Sequence, residues 1–548
     1  MRDTLRNTLL ITAATAVLTA CAVGPDFQRP AAPDTVRYTE ADLPSKTVSA
    51  EGMAGAAQTF ASDQDVPRDW WKEFGSEPLN RLMEQALKAN PDVKTAQASL
   101  RQAQENYYAE RGELLPSVDA GFDPTREKFN PSAFGQQGVP SSIFTLYDAS
   151  VSVSYGVDIF GGTRRAVEGA GAQVDTQRYA LQAAYLTLTA NVVTAAVQEA
   201  SLEQQIKETQ NIADIESKQL DVLQKQFELG GVTKATVLSQ VAELAQTQTN
   251  LPPLQKQLAQ TRNQLAVLAG KFPGDGKDDI FDLASLHLPE TLPLTLPSKL
   301  VEQRPDIKQA EGQLHAASAE IGVATAAMLP QVTLSGSYGS ETTSFSKLFT
   351  SGAEVWSLGG GILQPLFHGG TLLHQRRAAE AAYDKSAAQY QSTVLLAFKN
   401  VADTLRALQF DAEGLKAQVN AERAASNSLN LSQTQFRVGA ISYPQLLDAQ
   451  HTYSQARIGL VQAIATRLAD TAALYQALGG GWQGKDTTIA QEKTPGPAKD
   501  KSDAPPAVEA PLLDAPAASF ATTPAVPAAG NAPAATAMQP SVTNEKKP

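Results

Sequence analysis

From Ala149 the chain reads ASVSVSYGVDIFGG, and its apolar positions recur at every second residue. Ala149, Val151, Val153, Tyr155, Val157 and Ile159 share one side; Ser150, Ser152, Ser154, Gly156 and Asp158 share the other. A period of two predicts a strand with one apolar face and one wet face. Elsewhere the period changes. From Leu181, steps of four and three reach Tyr185, Leu188, Val192, Ala195, Glu199, Leu202, Ile206, Thr209, Ala213, Glu216, Leu220, Leu223 and Phe227, with only Glu199, Thr209 and Glu216 polar. Val394, Phe398, Val401, Leu405, Leu408, Ala412, Leu415, Val419, Glu422, Ser426, Leu429, Gln433 and Phe436 follow a similar course. Sustained four-three spacing predicts long helices packed as coiled coils. A rod from Thr163 to Leu229 would be roughly 100 Å long at 1.5 Å per residue, too long for a globular domain.

The pattern occurs twice. NPDVKTAQASLRQAQENYYAERGELLPSV (from Asn90) aligns without a gap on RPDIKQAEGQLHAASAEIGVATAAMLPQV (from Arg304), and Pro91, Asp92, Lys94, Ala96, Leu100, Leu115, Pro116 and Val118 each meet their own kind. Each half predicts a helix, a Leu-Pro stop, a strand, a loop, a second strand, a very long helix, a glycine turn and a return helix. The strands are SVDAGFD, ASVSVSYGVDI, QVTLSGSYG and VWSLGGGIL. Proline before each first strand disfavours helix there. The turns LGGVT and VGAIS place Gly230 and Gly439 where a left-handed residue closes a helix. Thr233 and Ser442 suit N-caps, and Pro444 a first turn. Pro252 and Pro253 interrupt the first return helix. The period is too long for a solenoid, so this is a duplication.

Four amphipathic strands cannot close a membrane barrel, since the smallest need about eight, and lipid does not tolerate open edges. The strands must therefore meet copies from other chains under cyclic symmetry. Three copies give about twelve strands, an even number within the known range, but the periodicity alone does not choose among two, three and four.

The N-terminus sets the compartment. Arg2 and Arg6 precede the apolar run LLITAATAVL, followed by LTAC, the order of a secretory signal too short to span a bilayer. The sole cysteine, Cys21, follows Leu-Thr-Ala as in a bacterial lipobox, so the expected modification is a covalent lipid on Cys21. No later stretch reads as long and apolar enough for a spanning helix. A single cysteine excludes an intrachain disulfide. The net charge of −12 argues against nucleic acid as a partner. Five scattered histidines offer no metal cluster, and the Gly pairs in FGGT and HGGT read as bends rather than phosphate cradles. No cofactor, metal or catalytic residue is expected, and the chain reads as no enzyme.

CAVGPDFQRP, LPSKLVEQRPDIKQAE, YGVDIFGGTRR, PLFHGG and LGGGW together resemble the TolC-like outer-membrane efflux factors, specifically the NodT-type lipoproteins of tripartite pumps of the resistance-nodulation-division (RND) class. The resemblance runs from about Cys21 to Trp482. It implies a mixed α/β membrane protein: four β-strands per chain in a trimeric 12-stranded outer-membrane barrel, and long helical hairpins forming a periplasmic tunnel. It also implies a homotrimer working with a periplasmic membrane-fusion adaptor and an inner-membrane RND-type pump, in the bacterial outer membrane, exporting small molecules passively. Adaptor contact is then expected at Leu229, Gly230 and Gly231, and at Val438, Gly439 and Ala440. Relatives often carry a carboxylate ring above the tip; Ser426 to Phe436 has no acid, and the first half offers Asp214, Glu216 and Asp221. Two other functions fit parts of the pattern: an exit duct for protein secretion with an ABC exporter, and a non-transporting coiled-coil lipoprotein scaffold. The expected organisation is a signal peptide over 1–20, a lipidated extended segment over 21–77, a first repeat over 78–270, a linker over 271–295, a second repeat over 296–482 and a disordered Pro/Ala-rich tail over 483–548.

Overall fold

The computed structural model describes residues 22–480, apart from 36, 132–134, 136–139 and 276–280. Cys21, Trp482 and the Pro/Ala-rich tail lie outside the described residues. The chain begins extended, forms β1 (Thr59–Ser62), and enters the first repeat with α1 (Glu77–Ala89) and α2 (Pro91–Gly112). Then come β2 (Ser117–Phe129), β3 (Ser142–Val157), α3 (Gly162–Glu228), α4 (Lys234–Thr249) and α5 (Leu251–Leu268). After β4 (Thr291–Leu294) the series recurs as α6 (Pro297–Gln303), α7 (Pro305–Ala326), β5 (Gln331–Thr342), β6 (Glu354–Leu363), α8 (Thr371–Arg437) and α9 (Tyr443–Ala477). The repeat keeps its dimensions: α2 and α7 each have 22 residues, and α3 and α8 each have 67.

Local chemistry sets the boundaries. Asn90 caps α2, its side chain accepting from the Asp92 and Val93 amides at 2.9 and 3.2 Å, with Pro91 in the first turn. In the second repeat Arg304 stands in its place. Its guanidinium binds both oxygens of Asp306 and donates at 2.6 Å to the Ala477 carbonyl at the end of α9. A cation on a helix C-terminus is favourably placed, and the bond ties the start of α7 to the end of α9. Pro252 and Pro253 end α4 and open α5, whereas α9, which has no such pair, runs on for 35 residues.

The four-three seam is the core. Leu181, Leu188, Val192, Ala195, Leu202, Ile206 and Leu223 of α3 are buried, as are Val394, Val401, Leu405, Leu408, Ala412 and Leu415 of α8. The three polar interruptions are buried too, and each finds a partner. Glu199 accepts from Arg262 of α5 at 2.8 Å, Thr209 donates to the Gln205 carbonyl at 2.7 Å, and Glu216 accepts from Thr247 of α4 at 3.1 Å. One 18-residue window of α3 reaches a mean hydropathy of 1.4, so this helix is by composition apolar enough to cross a membrane, contrary to the sequence expectation. Half of that window is buried inside the protein, which makes it a core rod.

Residues missed by periodicity form a belt around the rods. β1 pairs in parallel with β4, and Trp70 stacks on Tyr475 of α9 at 5.1 Å. Arg467 of α9 is fully buried and donates to the carbonyls of Ala54 and Ala56 and to Thr47 Oγ1, at 2.7, 2.8 and 3.0 Å. Leu283, Leu286 and Leu292, between the repeats, are buried as well. Beside Arg467, Asp411 of α8 lies against Asp470 of α9. Burial, then a hydrogen bond with Asp470 and that residue's charge, push Asp411 up to about 7, against the pull of Arg467. The folded state thus holds this proton more tightly than the unfolded chain does. Its contribution is full below about pH 4 and is lost as pH rises through about 7. The unfolding temperature of the wild type should therefore fall between pH 5 and pH 8 by several degrees more than that of Asp411→Asn; parallel curves would refute the raised carboxyl.

Candidate functional site: a two-faced wall and two hairpin tips

The strands form one antiparallel sheet in the order β2-β3-β5-β6. Its register sorts the residues by polarity. Val118, Ala120 and Phe122 of β2 lie opposite Val153, Val151 and Ala149 of β3. Val151, Tyr155 and Val157 lie opposite Tyr338, Leu334 and Val332 of β5, which in turn meet Trp356, Gly360 and Ile362 of β6. Directly opposed residues project to the same side, so this face is apolar across all four strands. Phe122, Val118, Val151, Leu334, Tyr338, Trp356, Leu358 and Ile362 are all exposed on it in the single chain. The reverse face carries Ser150, Ser152 and Ser154 beside Ser335, Ser337 and Ser357, with Ser337 and Ser357 hydroxyls 2.8 Å apart.

That polar face also gathers charge. Asp123 sits opposite Asp148, and Asp148 opposite Glu341, so three carboxylates form one row across β2, β3 and β5. Like charges directly opposite are unfavourable in a sheet. The Ser150 hydroxyl donates to Asp148 at 2.8 Å. The sequence marks each acid as polar-facing but cannot align them, because the row exists only in the register.

The strands exceed their predicted lengths. β2 continues through PTREKF to Phe129, and β3 starts at Ser142 rather than Ala149. The extra residues do not keep the alternation: Arg126 and Lys128 fall on the otherwise apolar side. The alternation thus ends before the strands do.

Where β3 ends, the N-terminal segment is pinned. The Val23 amide donates to the Phe160 carbonyl at 2.9 Å. Arg165 donates to Val23 O and Gly24 O and pairs with Asp26 and Glu168, both at 2.7 Å. Phe27 stacks on His315 at 4.3 Å. Cys21 is outside the described residues, but its neighbours Ala22 and Val23 are held at the root of the sheet, Ala22 against Gly161.

At the other end of the rods, Leu229 and Val438 crown the two tips, 87% and 74% exposed. Gly230 and Gly439 have φ of 76° and 73°, the left-handed region, and Gly231 N–H and Ala440 N–H return to Gln226 and Gln435 carbonyls at 2.7 and 2.8 Å. All six tip candidates are exposed. The return helices start at Thr233, which accepts from the Thr236 amide at 3.3 Å, and at Ser442, whose amide donates to Gln445 Oε1 at 2.8 Å. Beneath the tips Leu223, Tyr443 and Leu446 form one small core shared by both hairpins. Higher up, Arg457 of α9 pairs with Glu208 of α3 at 3.1 Å and Glu422 of α8 at 3.5 Å.

The acids expected near a gate are scattered. Asp214 and Asp221 are exposed, but Glu216 is buried inside the first hairpin, where the Gln240 side chain donates to its carbonyl oxygen. Burial pushes its carboxyl up, against the Thr247 hydrogen bond. It is an internal strut rather than part of an exposed ring.

Residues 82–271 and 296–480 match the model of the outer membrane efflux protein family. The pyoverdine export outer membrane protein OpmQ of Pseudomonas putida is 32% identical over 435 residues, covering 78% of this chain and 92% of that protein. The toluene efflux pump outer membrane protein TtgC, also of Pseudomonas putida, is 30% identical over 482 residues, covering 87% and 96%. The solved outer-membrane channel OprN superposes with a TM-score of 0.75 at 28% identity, over 85% of this chain and all of that one.

Proposed function

Because the chain belongs to the outer membrane efflux protein family, we propose that three copies form the outer-membrane exit duct of a tripartite pump, receiving small molecules from a periplasmic adaptor and an inner-membrane RND-type pump. The observation that carries this reading is the sheet: apolar on one face, polar on the other, and open at both edges. A scaffold has no use for such a wall. In lipid, the Val/Tyr face turns outward and the Ser/Asp face lines water. Copies supply the missing edges, and the long helices continue the bore as a tunnel. We assign the chain no catalysis, since its partners supply the energy. The names of the two relatives, one for pyoverdine and one for toluene, favour a duct that leaves cargo selection to the pump.

The lipid belongs on Cys21. The Val23–Phe160 bond fixes the residues just after it at the end of β3, where an acyl chain would enter the leaflet at the root of the sheet. The adaptor contact belongs at Leu229, Gly230, Gly231, Val438, Gly439 and Ala440, the exposed ends of the rods. We divide the chain as its duplication suggests: a signal over 1–20, an anchoring segment over 21–77, repeats over 78–270 and 296–482 joined by 271–295, and a tail over 483–548.

Purified protein in planar bilayers should give single-channel conductance with preference for cations, because nine carboxylates of the Asp123–Asp148–Glu341 rows would ring the bore of a trimer. Combining Asp123→Asn, Asp148→Asn and Glu341→Gln should cut the cation-to-anion permeability ratio several-fold while leaving assembly intact. Absence of conductance from intact oligomers would sink the duct. Cys21→Ala should abolish metabolic palmitate labelling yet still yield oligomers; a labelled variant would exclude Cys21 as the site. Gly439→Val must force a β-branched residue into the left-handed region at about 1–2 kcal/mol, and should lower efflux without dissolving the oligomer. Gly439→Asn should be tolerated, and wild-type export from Gly439→Val would count against the tip.

A further inference from the structure

Among the described residues the sheet has β2 and β6 as its two edges, and the duplication says how they meet. One constant offset carries Pro91 onto Pro305, α2 onto α7 and Val118 of β2 onto Val332 of β5. A second carries Gly161 onto Gly370, α3 onto α8, Gly230 onto Gly439 and Val153 of β3 onto Ile362 of β6. The two hairpins obey both offsets residue for residue. Val118 pairs with Val153 in the first hairpin, and their images Val332 and Ile362 pair with each other in the second. The duplication has therefore preserved strand register as well as sequence.

Within the chain, the second strand of the first repeat (β3) pairs with the first strand of the second (β5). The same step applied once more takes β6 to the β2 of another copy. We propose that the seam between protomers repeats the β3–β5 register, which places Leu366 opposite Val118 of the neighbouring copy, Ile362 opposite Phe122, Gly360 opposite Pro124 and Trp356 opposite Lys128. These are the images of Val157–Val332, Val153–Gly336, Val151–Tyr338 and Tyr147–Thr342. This rests on the trimeric reading above and adds the pairing that closes it.

Three observations agree with this register. First, it joins apolar face to apolar face and polar face to polar face; a one-residue slip would reverse every side chain. Second, the shapes fit: the glycines at 359, 360 and 361 fall opposite Thr125, Pro124 and Asp123, and the large pair Ile362–Phe122 lies just beyond them. Lys128 opposite Trp356 sets an ammonium beside an indole, a favourable contact. Third, it accounts for an imbalance of exposure. Val157 is half-buried beside Val332, whereas its image Leu366 and the adjacent Phe367 are 91% and 86% exposed in the single chain. The neighbouring β2 covers the place where β5 lies in the first repeat.

The test uses the full-length chain in outer membranes, with paired cysteines oxidised by copper-phenanthroline. Cys21 is the sole native cysteine, so the background is simple. Ile362→Cys with Phe122→Cys should give covalent dimers and trimers on denaturing gels that collapse on reduction. Gly361→Cys with Asp123→Cys should do so from the inner face. Within one chain these positions lie at opposite sheet edges, at least about 14 Å apart across three strand spacings, beyond disulfide reach. Ile362→Cys with Val118→Cys, or with Arg126→Cys, is displaced four residues along the partner, about 13 Å, and should remain monomeric on the same gels. Preferential bridging by a displaced pair would overturn the register while leaving the oligomer standing. The same holds for an oligomer, intact on native gels, that neither matched pair bridges. A single copy on native gels with no bridging at all would instead refute the trimer, and the seam with it.

Discussion

A peptide group in lipid has no water to bond, and the rest of the structure follows from that. Each strand of the wall must give every amide and carbonyl a neighbour. Four strands satisfy three internal seams and leave two edges open. The chain is thus an incomplete object by construction, and its apolar face, exposed from Phe122 to Ile362, is a solvent-facing liability until lipid and copies cover it. The long rods obey the same economy in water. Their buried seams are made of Leu, Val and Ala, and the polar residues admitted to them are admitted in pairs, as with Glu199 and Arg262.

The duplication lets one solution serve twice. Because both repeats keep the same helix lengths and hairpin register, the wall advances by a constant step from strand to strand. Differences between the halves are where the second use of the plan acquired new tasks. Asn90 caps its helix locally, while Arg304 at the matching position reaches to the end of α9. The first return helix is broken by Pro252 and Pro253, the second continuous. The first strand-to-helix junction is covered by the chain's own Val23, and the second, at Leu366 and Phe367, is bare.

Periodicity makes the rods legible to within a residue: the spacing predicts Thr163 to Leu229, and Gly162–Glu228 is observed. Strong patterns over many turns leave little room for error. All four strands are legible as elements, but their ends are not, since PTREKF and SIFTLYD abandon the alternation once the chain leaves the apolar band. The belt is invisible in the sequence for a different reason. β1 and β4 are four residues each and owe their pairing to Gln58, whose side chain donates to Pro289 O and Thr471 Oγ1, contacts far apart in sequence. The tips are readable from glycine and cap chemistry alone. The acidic row and the true position of Glu216 need three dimensions: one depends on register, the other on which side of a helix its hairpin partner takes.

Packing along the rods is uneven, and it thins toward the tips. At mid-length, α3 buries almost every residue from Val192 to Leu202 on two faces, and α8 buries Val401, Leu405, Leu408, Ala412 and Leu415 completely. Beyond Ala213 only Glu216 and Leu223 of α3 remain buried, and beyond Leu415 only Ala425 of α8. The hairpins there are joined by Arg457 with its two carboxylates and by a small apolar core around Tyr443. Local opening is least costly where apolar burial is thinnest. A tip end held by one ionic cluster and one small apolar core can yield without disturbing a wall whose backbone bonds admit no alternative. Apolar burial thus falls off toward the tips, while the seams of the wall are held by backbone bonds.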